Sequence, residues 1–331
     1  MANIAVTGAG GWLGIAIVRA LAARGDTVHA FDLEVGSGLN AVVAESAQRD
    51  RRVVASALDI RDAGAVHAAL ENARPDAIIH CAAIVGVLAA EHVPVAALRV
   101  NVEGTLNVLE AMRVLGIRRM VHLSTEEAYG DFQAPVIDED HPQQPESIYG
   151  LTKQIAEQFC RYYQKKHGLE CIHVRTCWVY GPYLPRARVP KTFIDAALAG
   201  EPYHLESGGG LKVDQVYIDD TVAGVLLALD KPDHRFDAYH IATGAAPSIG
   251  QVAEIVNEAV PGARITAGDG PYLHGGKIPC AKKGALDIQR ARVELGYESR
   301  YDIRRGIEAT IDATRAERHG VAADDSAGSR S

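Results

Sequence analysis

Asn3-Ile4-Ala5-Val6-Thr7-Gly8-Ala9-Gly10-Gly11-Trp12-Leu13-Gly14 opens the chain and decides its fold. Its first part is a short apolar run suited to one buried strand. After the glycines, Leu13, Ile17 and Leu21 recur at helical spacing. Strand, glycine turn and helix in that order form a βα unit. Gly8 permits a sharp turn, and Gly11 lets the backbone approach a pyrophosphate with no Cβ in the way. Gly14 lets the helix pack close to the strand. The N–H groups of the helix start, at Trp12 and Leu13, then face the phosphates, with the helix dipole adding attraction.

A glycine turn alone also serves ordinary structural turns, so the next strand matters. Thr27-Val28-His29-Ala30-Phe31-Asp32 ends in an acid 24 residues after Gly8. A dinucleotide-binding unit places there the carboxylate that takes the ribose 2′-hydroxyl. That carboxylate repels a 2′-phosphate, so NAD is expected over NADP. Leu33 and Glu34 follow Asp32 where a phosphate site would want Arg or Lys.

The chain has 331 residues, 47% of them hydrophobic, enough for one large or two modest domains. A net charge of −8 argues against nucleic acid or an anionic membrane as partner. Five dispersed cysteines without a C-x-x-C suggest a reducing cytoplasm rather than a disulfide framework. The 13 histidines show no metal-ligand spacing, so no metal is expected. The chain enters a strand at once, which predicts no signal peptide, and no apolar run approaches the ~18 residues of a membrane span.

Strand and helix patterns alternate through the first half. Strands are expected at Val53–Leu58, Ala77–Ala82, Met120–Ser124 and Cys171–Val174. Helices are expected at Ala63–Glu71, from Pro94 to Leu115, and from Tyr149 to Lys166. Near-continuous apolar strands between amphipathic helices predict an α/β fold, a doubly wound parallel (Rossmann) sheet covered on both faces. After Arg175 the rhythm loosens, with prolines and the Gly208-Gly209-Gly210 run. Helices recur at Lys191–Ala199, Thr221–Leu229 and Ser248–Val260, the last with a capping box from Ser248 and Gln251. Gln215–Ile218 and Tyr239–Ile241 read as strands returning to the main sheet. The expected organisation is a nucleotide-binding domain of residues 1–175 plus 215–245. A smaller substrate lobe takes 176–214 plus 246–315, and the small, polar residues 320–331 form a flexible tail.

The chemistry lies in Ser147-Ile148-Tyr149-Gly150-Leu151-Thr152-Lys153. Tyr149 and Lys153 stand four apart at a helix start and share a face. An ammonium beside a phenol favours the phenolate. Such a tyrosine takes the proton of a carbinol while hydride leaves to a nicotinamide, and the lysine also holds the nicotinamide ribose. Y-x-x-x-K is also a common helix-surface pair; here it follows a hydroxyl motif, Ser124-Thr125-Glu126-Glu127-Ala128-Tyr129-Gly130.

With these residues the chain resembles an extended short-chain dehydrogenase/reductase of the NAD-dependent epimerase/dehydratase group, over about residues 3–310. The resemblance also rests on Asp59-Ile60-Arg61-Asp62, His80-Cys81-Ala82-Ala83, Asn101-Val102-x-Gly104-Thr105-x-Asn107, Tyr180-Gly181-Pro182, Tyr217-Ile218-Asp219-Asp220 and Asp287-Ile288. It implies that Asp59 and Ile60 lie beside the adenine, although Asp59 is also placed to cap the helix at Ala63. It implies that Leu33, Ala82, Ala83 and Cys177 line the cofactor and that Asn101 closes the nicotinamide side. Thr125 matches the hydroxyl that shares the substrate oxygen with Tyr149. Glu126 and Glu127 fall where nucleotide-sugar 4,6-dehydratases carry Thr-Asp-Glu. A carboxylate there removes a proton beside a transient ketone, and a second carboxyl protonates a leaving hydroxyl; the alternative is a pair of loop acids facing solvent. The resemblance further implies a homodimer through the helices 94–115 and 149–166, which carry Leu98, Val102, Leu106, Ile155, Phe159 and Tyr163.

Two positions depart from the group. Trp178 stands where nucleotide-sugar enzymes carry Asn, and Leu211-Lys212-Val213-Asp214 lacks their Arg. Trp178, Arg186, Arg188, Lys212 and Lys277 are the candidate substrate contacts, the basic ones for a carboxylate or phosphate. The expected activity is NAD-dependent redox chemistry at a carbinol of a sugar-like compound, by an epimerase or dehydratase. The alternatives are a dehydrogenase for a sugar or sugar acid and, because such proteins usually lose the Tyr or Lys kept here, more remotely an NAD-binding regulator.

Overall fold

The computed structural model describes residues 1–328, with side chains through 317. In chain order the first half comprises β1 (Asn3–Thr7), α1 (Trp12–Ala23), β2 (Thr27–Asp32), α2 (Ser37–Ala47), β3 (Val53–Ala57), α3 (Ala63–Ala73), β4 (Ala77–His80), α4 (Val87–His92), α5 (Pro94–Leu98), α6 (Thr105–Leu115), β5 (Arg119–Thr125), β6 (Val136–Ile137), α7 (Ile148–His167) and β7 (Glu170–Thr176). The second half adds β8 (Trp178–Tyr180), α8 (Lys191–Ala199), β9 (Tyr203–Leu205), β10 (Gln215–Tyr217), α9 (Ile218–Asp230), β11 (Ala238–Ile241), α10 (Ile249–Ala259), β12 (Ile265–Ala267), β13 (Leu273–His274), β14 (Ile278–Pro279), β15 (Ala285–Leu286), α11 (Gln289–Leu295) and α12 (Ile303–Gly328).

Seven strands form one sheet in the order β11-β7-β5-β4-β1-β2-β3. Every pairing in it is parallel, with Thr7 opposite His80 and Thr125 opposite Thr176. Helices cover both faces, which is why Ile78, Ile79, Val121 and Ile172 are buried whichever way they point. The strand order reverses between β1 and β4. A crevice opens there at the carboxyl ends of the strands, where such sheets bind ligands.

Three expectations need correction. Gln215–Tyr217 pairs with β8 in a separate two-stranded sheet, and Ile218 already begins α9; only Ala238–Ile241 returns to the main sheet. The helix expected over 94–115 is interrupted by a π-helical stretch, Arg99–Gly104, that widens one turn around Asn101. Asp62, not Asp59, caps α3, its side chain accepting from the Ala65 N–H at 3.0 Å. The capping box at Ser248 and Gln251 is present. The segment expected to be a flexible tail, 320–331, overlaps α12, and residues 329–331 lie outside those described. No helix among the described residues is long and apolar enough to cross a membrane.

Buried polar hubs lock the second half onto the sheet. Asp214 accepts from Thr243, Gly244 and Leu286, with Thr243 Oγ1 at 2.6 Å. Asp220 accepts from Ser299 Oγ and from the N–H groups of Arg300 and Tyr301 at 2.9–3.0 Å. A carboxylate out of water is tolerated only when so surrounded.

Candidate active site

The glycine turn fits a pyrophosphate for reasons visible atom by atom. Gly8 has φ of +70°, and a Cβ there would lie 2.5 Å from the Ala82 nitrogen, so this approach of β1 to β4 admits only glycine. Gly11 is the N-cap of α1 and brings no side chain to cover the free N–H groups. A Cβ on Gly14 would meet the Gly8 carbonyl oxygen at 2.1 Å. Asp32 accepts from the N–H groups of Gly10 and Leu33, both at 2.8 Å. It thus holds the turn as well as facing the crevice. Gly10, passed over in the sequence, belongs to the site for that reason. Trp12 donates its indole N–H to the Pro182 carbonyl at 2.8 Å, tying the turn to the loop after β8. Leu13 packs on the core below. The cradle of bare helix N–H groups with a carboxylate at the next strand fits NAD.

On the other side of β1, His80 is held between two threonines. Thr105 donates to the Asn101 carbonyl at 2.7 Å, so it must accept from His80 Nε2; Thr7 then donates to Nδ1 at 2.7 Å. Asn101 accepts the Ile84 N–H at 2.8 Å and donates to Ile84 O and to Thr152 Oγ1. It is thereby a buried clasp between the loop after β4, the π-helical turn and α7. Ile60 is buried against Gly104, and Asp59 pairs with Arg61 at 2.6 Å at the rim.

Tyr149 sits in the first turn of α7, capped by Ser147 through the Gly150 N–H at 3.1 Å. A Cβ on Gly150 would lie 2.2 Å from the Glu127 carbonyl oxygen, so α7 presses directly on the turn that carries Glu126 and Glu127. That turn is a short 3₁₀ segment, Glu126–Tyr129, at the end of β5. Thr125 accepts the Glu127 N–H at 3.2 Å and donates to Glu126 Oε2 at 3.0 Å. Thr125, Glu126, Glu127 and Tyr149 are all buried. Burial pushes the Tyr149 phenol up; Arg186 acts against that, Glu126 and Glu127 add to it, and the Thr125 hydroxyl lowers it.

The lysine partnership differs from expectation. Lys153 bonds His122 Nε2 at 3.2 Å, and the cation acting on the phenol is Arg186. Burial pulls the Lys153 ammonium down to about 8. With Nε2 accepting, His122 carries its proton on Nδ1 and gives it to His173 Nδ1 at 3.1 Å. Cys160 completes a buried trio with these histidines, whose Nδ1 atoms bond each other while His173 Nε2 has no hydrogen-bond partner. Below them Glu157 binds Arg175 through two bonds of 2.7 and 3.0 Å and accepts from Ser124 at 2.6 Å. This polar layer ties α7 to β5 and β7.

The candidate substrate contacts come from the second half. Trp178 is buried in β8 against Tyr272, and the Arg188 guanidinium lies 5.1 Å from its ring. Arg188 donates to the Val179 carbonyl at 2.7 Å, while its Nε is buried without a partner. Arg186 donates to the Val85 carbonyl at 3.1 Å. Lys212 and Lys277 are exposed, Lys277 in the turn of the β13–β14 hairpin. The lysine that is brought into the site is Lys283, unremarked in the sequence, 3.0 Å from Glu127 Oε2. Cys177 turns its thiol to Asp214 at 3.5 Å.

A doubly wound sheet with a glycine cradle, an acid after the second strand and a buried Thr-Tyr-Lys set defines a nicotinamide-dependent oxidoreductase-type site. The family model described as "NAD dependent epimerase/dehydratase family" matches residues 4–242, and the chain belongs to that family. It is 31% identical to the UDP-glucose 4-epimerase of Mycolicibacterium smegmatis over 94% of this chain and 97% of that protein. It is 31% identical to the dTDP-glucose 4,6-dehydratase of Streptomyces antibioticus over 96% of this chain and 93% of that one. The Thermus thermophilus UDP-glucose 4-epimerase in complex with NAD superposes with a TM-score of 0.80 at 27% identity, covering 94% of this chain and 98% of that one.

Proposed function

We propose that the protein is an NAD-dependent epimerase or dehydratase that oxidises a carbinol of a sugar-like substrate to a transient ketone and works on the carbon beside it. The observation that carries this reading is the buried set of Thr125, Glu126 and Glu127 pressed against Tyr149 through Gly150. Two carboxyls out of water beside a catalytic phenol are costly and useless to a simple hydride transfer. They suit proton abstraction and protonation of a leaving group.

The cofactor would lie on Gly8, Gly11, Trp12, Leu13 and Gly14, with its ribose at Asp32. Leu33, Asp59, Ile60, Ala82, Ala83 and Asn101 would form the rest of its cleft. NAD supplies there a reversible hydride acceptor. Tyr149 takes the carbinol proton, Thr125 holds the same oxygen, Arg186 eases ionisation of the phenol, and Lys153 would hold the nicotinamide ribose. Trp178, Arg186 and Arg188 would take the substrate's distal part. The unpartnered Arg188 Nε favours an anionic group there, whether diphosphate or sugar carboxylate. That same feature supports the second reading, a dehydrogenase of a sugar acid. Five free thiols agree with a cytoplasmic setting, and exposed apolar residues on α5 and α7 support a homodimer.

The test is turnover of nucleotide sugars, sugars and sugar acids in heavy water. Deuterium should enter the carbon beside the carbinol, with no net NADH. Tyr149→Phe should lower turnover about 10²- to 10⁴-fold while leaving NAD bound. Net NADH formation without deuterium uptake would replace this reading by the dehydrogenase.

A further inference from the structure

Glu126 and Glu127 are adjacent, alike and both buried, so something must decide which is the acid and which the base. Lys283 has a side chain with 0% exposure and lies 3.0 Å from Glu127 Oε2. Glu126 instead meets the neutral Thr125 hydroxyl at 3.0 Å. We propose that Lys283 is the positioning residue that keeps Glu127 a carboxylate and leaves the proton on Glu126, making Glu127 the base and Glu126 the acid.

Charge balance supports this division. Two buried carboxyls and one ammonium are neutral together when a single carboxyl is ionised. Burial pushes Glu126 up to about 7, with Lys283 acting against it and the Glu127 charge adding to it. Lys283 itself is raised, because Glu127 and Glu126 outweigh its burial. The groups around the pair are Lys283 and Cys280, His274 on β13, Arg188, Tyr149 on α7, and Cys177. Arg188 lies on Trp178 and donates to the Val179 carbonyl, and its charge acts on Glu126 less than that of Lys283 does. An ammonium beside Glu127 and only a neutral hydroxyl beside Glu126 is the kind of asymmetry that separates a base from an acid.

The proposal rests on the ketone-forming reading above. Glu127 takes the proton beside the ketone, and the C–H electron pair becomes an enolate. That pair then forms a carbon–carbon double bond as the C–O bond of the neighbouring carbon breaks. The departing hydroxyl takes the Glu126 proton and leaves as water. Glu127 ends protonated and Glu126 ionised. The pair carries one negative charge before and after, so the net charge beside Lys283 is unchanged by the step.

The test uses holoenzyme carrying ¹³C-carboxyl glutamate, with Glu126→Gln and Glu127→Gln assigning the two signals. In the wild type the Glu126 signal should titrate at about 7; a Glu126 signal that titrates in the ordinary carboxylate range overturns the proposal without any lysine variant. In Lys283→Met the Glu127 signal should titrate about one pH unit or more higher. Lys283→Arg should restore it, and deuterium uptake should fall about 10-fold or more in the Met variant. A Glu127 titration unchanged in Lys283→Met overturns the assignment to Lys283. Wild-type enzyme that exchanges no deuterium on a true substrate defeats the reading of the reaction instead, a result the titrations do not depend on.

Discussion

Asp32 does two things with one carboxylate. It accepts the Gly10 N–H and, with its charge, sets which dinucleotide the crevice admits. Asp32→Asn keeps an acceptor for Gly10 but removes the charge that opposes a 2′-phosphate. The preference for NAD over NADP should shrink about 10- to 100-fold, the worth of one charged hydrogen bond. Calorimetric dissociation constants check this, and equal binding of the two dinucleotides by the wild type would reject the assignment. At this scale the sequence was most legible where a residue type is forced by backbone geometry. Lys283 was not legible, because a Lys282-Lys283 pair in a loop reads as solvated charge. The fold exposes 81% of one side chain and 0% of its neighbour.

At the scale of elements, α1 shows how close packing outweighs helix propensity. Alanine in place of a helical glycine gains about 1 kcal/mol by propensity. At Gly14 the added Cβ would lie 2.1 Å from the Gly8 carbonyl and 2.9 Å from Ala9 Cα, both backbone atoms that cannot rotate aside. Overpacking of that kind costs about 1–3 kcal/mol, occasionally more. Gly14→Ala should therefore lower the melting temperature and weaken NAD binding together. A raised melting temperature would show that α1 is free to shift. The same close fit explains the interrupted helix around Asn101. Apolar spacing reported a helix there, but the widened turn answers to Asn101's bonds with Ile84 and Thr152, which lie in other elements.

For the whole molecule, the proposed dimer face can be tested on residues the fold leaves outside. Leu98 on α5 is 50% exposed and Tyr162 on α7 is 54% exposed. Of the residues first expected at this face, Tyr163 turns inward and hydrogen-bonds Glu110, while Leu106 and Phe159 pack partly on the core. Light scattering at micromolar concentration should give twice the chain mass, and Leu98→Glu with Tyr162→Glu should halve it. A wild-type monomer would reject the dimer.

The sequence by itself determined the parallel sheet, the glycine cradle, the acid after the second strand and the Tyr149–Lys153 spacing. Each of these is local, fixed by the period of a strand or helix or by a backbone conformation only glycine tolerates. Tertiary structure alone decided the partners across elements. It turned Lys153 to His122, sent Gln215–Tyr217 to β8 rather than the main sheet, and exposed Lys212 and Lys277 while burying Lys283 beside Glu127. Those outcomes depend on which segments meet in space and how much water each meeting excludes, and neither quantity is written in local spacing.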